Sequence, residues 1–124
     1  WLVKNGVNAI VGAHPHVVQD STVIGDVPVF YSVGNAVSNM SAANTQLELG
    51  VGLKFVRDEN GDRSMLSPSA TYLWCSRPGK FIDNYATIVV KEHIGTREKW
   101  MSPPHYDKMM STYYRVKSAT GVQD

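Results

Sequence analysis

The chain of 124 residues has one cysteine, Cys75, which excludes an internal disulfide framework and a cysteine-based zinc knuckle. No apolar run approaches the ~20 residues that span a bilayer as a helix. There is no excess of one charge: 12 Lys and Arg against 11 Asp and Glu leave +1, and the cations are scattered along the sequence, so no nucleic-acid footprint is announced. Repeats, linkers and low-complexity segments are lacking too. Ser32 has no Gly-x-Ser-x-Gly elbow around it and reads as a strand serine. Asp58, Glu59 and Asp62 lack the spaced oxygens and terminal glutamate of a calcium loop and read as a solvated turn. What is present, 43% hydrophobic and 19% charged residues, suits one globular domain with its own core.

Periodicity predicts a mixed α/β chain, mostly antiparallel, with a C-terminal helix. Trp1 to Gly6 reads as the end of an amphipathic helix, closed by Gly6 in the left-handed region with Lys4 at the negative end of the dipole. Val7 to Val11 is a short apolar run of the kind found in a buried parallel strand. Val23-Ile24 and Val27 to Ser32, joined at Gly25-Asp26, predict a tight hairpin, followed by a polar loop over Asn35 to Thr45. Between Gln46 and Arg57, Leu47, Leu49, Val51, Leu53 and Phe55 alternate, predicting one long strand with all five on one face. Asn60-Gly61 marks its turn, and Ser64 to Cys75 is the expected partner strand, with Tyr72 and Trp74 on one face. Asn84 to Lys91 is a further β-branched strand. Ser102, before Pro103 and Pro104, is placed to cap a helix whose Tyr106, Met109, Met110, Tyr113 and Val116 face the sheet. The polar tail after Lys117 is expected to fray. Tyr72, Trp74 and Trp100 read as core aromatics, Cys75 as a small buried hydrophobe, and His93 and His105 as surface residues.

The chemistry concentrates in Val11-Gly12-Ala13-His14-Pro15-His16-Val17-Val18-Gln19 and, a dozen residues later, Phe30-Tyr31-Ser32-Val33-Gly34-Asn35. Two imidazoles around a proline, just past an apolar run, sit at a strand tip on a stiff loop expected to be extended. Neutral imidazole suits zinc, manganese-class or iron ions in mixed sites with carboxylates. Alternate residues of an extended segment point to opposite sides, so both chelate one ion only if the chain turns. By itself, His-x-His also fits loop histidines bonded to backbone carbonyls. Asn35 either offers its amide to the histidine loop or is a turn residue tolerant of positive φ. Gln19 and Asp20 close the loop.

The two blocks together resemble the bacterial capsule synthesis protein family, of the CapA or poly-γ-glutamate synthesis type. That family carries G-A-x-x-V-V-G-x-H-P-H-V-x-Q and then P-I-F-Y-S-L-G-N-F. Asn5 to Gln19 and Pro28 to Asn35 follow both patterns, with Ala36 in place of the last aromatic. The family is in turn similar to calcineurin-like metallophosphoesterases, four-layer α/β sandwiches with two metals held by Asp, Asn and His. The resemblance implies that residues 1–124 are the C-terminal portion of such a domain, truncated ahead of the earlier ligand elements. It implies His14 and His16 as catalytic residues, either late ligands of a divalent ion (Mn, Zn or Fe) or phosphate contacts, and Asn35 and Gln19 as substrate contacts. The parent is then a surface or extracytoplasmic bacterial protein whose partners are an anionic capsule polymer or phosphoester and the synthase complex. It is a metal-dependent hydrolase or, alternatively, a non-catalytic component that binds the polymer or the synthase. A chain cut in this way also exposes a sheet edge suited to homodimerisation.

Overall fold

The computed structural model describes residues 1–124 as three small sheets and one long helix, a mixed α/β chain with mostly antiparallel strands. A single 3-10 turn, Val3–Asn5, ends at Gly6 with φ 87, as expected of a glycine that closes a helix. Strand β1 (Ile10–Val11) runs parallel to β3 (Val27–Phe30), and β2 (Ser21–Ile24) pairs with β3 across the Gly25-Asp26 turn, giving the order β1-β3-β2. The expected buried parallel strand is shorter and more open than its sequence suggested. β1 holds two residues, and Val11 is 46% exposed, because only β3 covers one of its edges.

The core lies elsewhere, on the sheet formed by β4 (Leu47–Gly52), β7 (Ser69–Ser76) and β8 (Ala86–Val89), in the order β4-β7-β8. Helix α1 (Pro103–Thr120) packs Met109, Met110, Tyr113 and Val116 onto the face carrying Leu47, Leu49, Tyr72 and Trp74. Tyr72 and Tyr113 meet edge to face with ring centroids 5.3 Å apart, an arrangement that adds to simple area burial. The Val18 and Phe30 side chains join the same core, so the segment bearing the histidines is anchored to it from both sides.

Five expectations require correction. The long strand Gln46 to Arg57 divides at Gly52, and Phe55 turns out to solvent in a separate hairpin of β5 (Phe55–Arg57) and β6 (Arg63–Met65). The partner segment divides likewise: Pro68 has no N–H for the ladder, and pairing with β4 resumes only at Ser69. The tail does not fray. Helix α1 continues to Thr120, Gly121 closes it at φ 68, Val122 is buried, and the Tyr72 hydroxyl donates to the Val122 carbonyl at 3.3 Å. Trp100 is 46% exposed, while His93 and His105 are half-buried beside the aromatic cluster of Phe81 and Trp100. Ser102 occupies the helix N-cap, but its hydroxyl meets the His105 ring at 2.6 Å instead of a backbone N–H.

Candidate functional site

Gly12 sets the site. Its N–H donates to the Phe30 carbonyl at 2.8 Å, and its own carbonyl accepts from the Val33 N–H at 3.1 Å. A Cβ at this position would lie 2.3 Å from the Tyr31 carbonyl oxygen, so only glycine lets the two signature segments come together here. Gly34 does the same on the other side, with φ 79 and the Leu47 carbonyl oxygen 2.7 Å from where a Cβ would sit. Gln19 N–H donates to the Ser32 carbonyl, and Val18 bridges Val33, completing the seam.

Between Gly12 and Val18 the chain bends. The expected extended loop is replaced by a turn in which His14 has φ 111 and His16 φ 62. Positive φ at non-glycine residues costs about 1–3 kcal/mol each and persists only where the surroundings impose it. The turn removes the alternation of an extended segment and leaves both imidazoles exposed, with centroids 6.2 Å apart and planes inclined by 37°.

Asn35 holds this turn. Its amide nitrogen donates to the His16 carbonyl at 3.0 Å and to the Thr45 carbonyl at 3.1 Å, and its Oδ1 lies 2.7 Å from His16 Nδ1. Two carbonyl acceptors fix the orientation of the amide, and an amide oxygen only accepts. His16 Nδ1 is therefore the nitrogen that donates, and Nε2 has no partner. A ring held in this way is fixed in its plane by the oxygen its Nδ1 donates to, as the ring of a histidine that binds a metal commonly is. Of the two readings open for Asn35, the amide beside the histidine loop is the one observed; positive φ falls on Gly34 instead.

Residues 1–40 match the family model of the bacterial capsule synthesis protein, PGA_cap. No curated protein and no solved structure is a significant match to the chain.

The matched segment contains Gly12, His14, His16, Gly34 and Asn35, brought together by the seam between its two blocks. Gln19 lies on that seam through its backbone, while its exposed side chain makes no hydrogen bond. His14 makes none either. Ser32 is fully buried, its hydroxyl accepting from the Gly34 N–H at 3.3 Å, a structural role. The donor set fits part of a metal's coordination shell: two imidazoles, one of them oriented, and no group of three or more ligand side chains.

Glu48 carried no sequence signal, since between Leu47 and Leu49 it reads as the solvent-facing residue of β4. It is instead 3% exposed, with Oε1 unpartnered and its backbone bridged to Gly34, the neighbour of Asn35. Burial raises its carboxyl to about 7.

Proposed function

We propose that this chain carries the late histidine element of a divalent metal centre in a capsule-synthesis protein that works at the bacterial surface on a phosphoester or an anionic capsule polymer. The observation that supports it most is the bond from His16 Nδ1 to Asn35 Oδ1, which leaves Nε2 without a partner on an exposed ring in a strained turn. A bound divalent ion would supply Lewis-acid polarisation of an ester or amide oxygen and a water of lowered pKa. His14 and His16 would hold the ion, Asn35 would orient His16, and Gly12 and Gly34 would keep the two blocks in register. The remaining ligands would come from outside these 124 residues. Other partners in this reading are the synthase complex and a second copy, paired through the free edge of β2.

A second reading has its own support. His14 and His16 are exposed and line none of the molecule's clefts, as a non-catalytic element that binds the polymer would allow. Calorimetric titration of Mn2+ and of Zn2+ into the protein containing this chain, beside its His14→Ala/His16→Ala variant, separates the two. Stoichiometric binding lost in the variant is expected. Equal binding by both proteins, or none by either, overturns the metal reading and leaves the polymer-binding one.

A further inference from the structure

The orientation of the Asn35 amide decides what His16 can offer. With Oδ1 toward the ring, His16 Nδ1 donates at 2.7 Å and Nε2 is left free. Turned end for end, the amide would present its NH2 to Nδ1. A neutral ring would then carry its proton on Nε2, which would have no lone pair for a metal. Two carbonyls oppose that reversal, those of His16 and Thr45, at 3.0 and 3.1 Å from the amide nitrogen. The His16 carbonyl belongs to the same turn as the ring. The Thr45 carbonyl is the reference point outside it.

Thr45 is itself held fast. It is 3% exposed, and its carbonyl accepts from the Asn35 amide and from no backbone N–H, so loss of that amide leaves the carbonyl of a buried residue unpaired. The Thr45 hydroxyl donates to the Ala42 carbonyl at 2.7 Å and lies 3.2 Å from that of Met40, and its N–H donates to Ala42 as well at 3.3 Å. These bonds close the end of the polar loop into a turn. Asn44, just before it, has φ 66 and two anchors: Oδ1 accepts from Arg115 Nη2 of helix α1 at 2.6 Å, and the carbonyl accepts from the Leu47 N–H of β4 at 3.2 Å. The Thr45 carbonyl therefore takes its position from the core sheet and the helix.

We infer that Thr45 is a positioning residue of the histidine turn: its hydroxyl closes the Ala42–Thr45 turn and so holds the carbonyl that orients Asn35 and selects the His16 nitrogen that donates. Thr45 bonds to neither histidine and acts through Asn35. The task needs a hydroxyl proton, which a methyl of the same shape lacks. The consequence for ligation rests on the metal reading proposed above; the choice of nitrogen does not.

Nitrogen–proton correlation spectra of the imidazoles test this in the metal-free protein, at a pH where the rings are neutral and with exposed His14 as internal control. The His16 proton is expected on Nδ1 in the unaltered protein and in Thr45→Ser, which keeps the hydroxyl. Thr45→Val should move it toward Nε2 and leave His14 unchanged. Calorimetric affinity for Zn2+ should fall with it by up to roughly 10-fold, less than on removal of Asn35 itself. In an Asn35→Ala background Thr45→Val should add nothing to either readout, since the two act in one line. Thr45→Ala gives the same comparison should Thr45→Val not fold, as judged by thermal melts. A proton that stays on Nδ1 in the folded Val and Ala variants, an equal change in Thr45→Ser, or additivity with Asn35→Ala would each overturn the positioning role. Movement of the His16 proton in a protein that binds no metal upholds it and refutes the metal reading alone. Metal binding that is lost in His14→Ala/His16→Ala but indifferent to Thr45, with the His16 proton unmoved, does the reverse.

Discussion

His16 and Asn35 clamp each other from 19 residues apart: the ring nitrogen Nδ1 donates to Oδ1 at 2.7 Å while the amide returns a bond to the His16 carbonyl at 3.0 Å. Asn35→Ala removes both, together with the bond to the Thr45 carbonyl, and should destabilise the chain by about 1–3 kcal/mol in a denaturant titration. Loss of the group that orients His16 should also weaken metal binding by about 10- to 100-fold. Asn35→Asp keeps the acceptor but turns the donor into an anion facing two carbonyl oxygens. It should be no more stable than the alanine variant at neutral pH.

Glycines in this chain are expected to rank by contact and not by φ alone. Gly12→Ala meets the Tyr31 carbonyl at 2.3 Å, and Gly34→Ala combines φ 79 with the Leu47 carbonyl at 2.7 Å. Backbone obstacles do not move aside as a side chain would, so each should cost about 2 kcal/mol or more. Gly25→Ala has φ 63 with nothing within 4 Å, and should lose only the ~1 kcal/mol of the left-handed conformation. Midpoints from urea unfolding of the three variants check the order.

Two carboxylates should give the stability opposite slopes with pH. Glu48 is held at about 7 by burial, above the ordinary 4.5 of a glutamate, so between those values the folded chain binds a proton that the unfolded chain has released. Stability should fall as pH rises from about 4.5 to 7, by a total of about 3 kcal/mol, and Glu48→Gln should remove that slope. Asp124 behaves in the reverse sense. Its burial acts to raise the carboxyl, but bonds from Lys117 at 2.5 Å and Tyr113 at 3.1 Å prevail and lower it. Its contribution should be present near neutral pH and disappear as the solution is acidified below the ordinary aspartate range, a loss absent from Asp124→Asn. Thermal melts across a pH series resolve both.

Strand β2 offers a free edge whose four residues, Ser21, Thr22, Val23 and Ile24, are exposed and uncharged. Such an edge pairs readily with another strand. Concentration-dependent dimerisation is expected in light scattering, and Val23→Lys, placing a charge on a residue 64% exposed, should reduce it without changing the melting temperature appreciably. A monomer at all concentrations excludes the edge as an interface.

Features that depend on local chemistry were legible before any folding. Gly6 and Gly25 announced their turns, Leu47 and Leu49 their buried face, and the Ser102-Pro103-Pro104 start with the Tyr106 to Val116 spacing announced the helix and its core side, because periods of 2 and 3.6 are properties of the backbone. The two blocks around His14, His16 and Asn35 were legible as a pair for the same reason: each is contiguous. Tertiary structure decided the rest. It turned the histidine loop through positive φ, which no residue type short of glycine declares. It chose between the two readings of Asn35 by bringing the Thr45 carbonyl to its amide, and it buried Glu48 where alternation pointed outward. It divided the long strand at Gly52 because Pro68, sixteen residues on, could not continue the ladder.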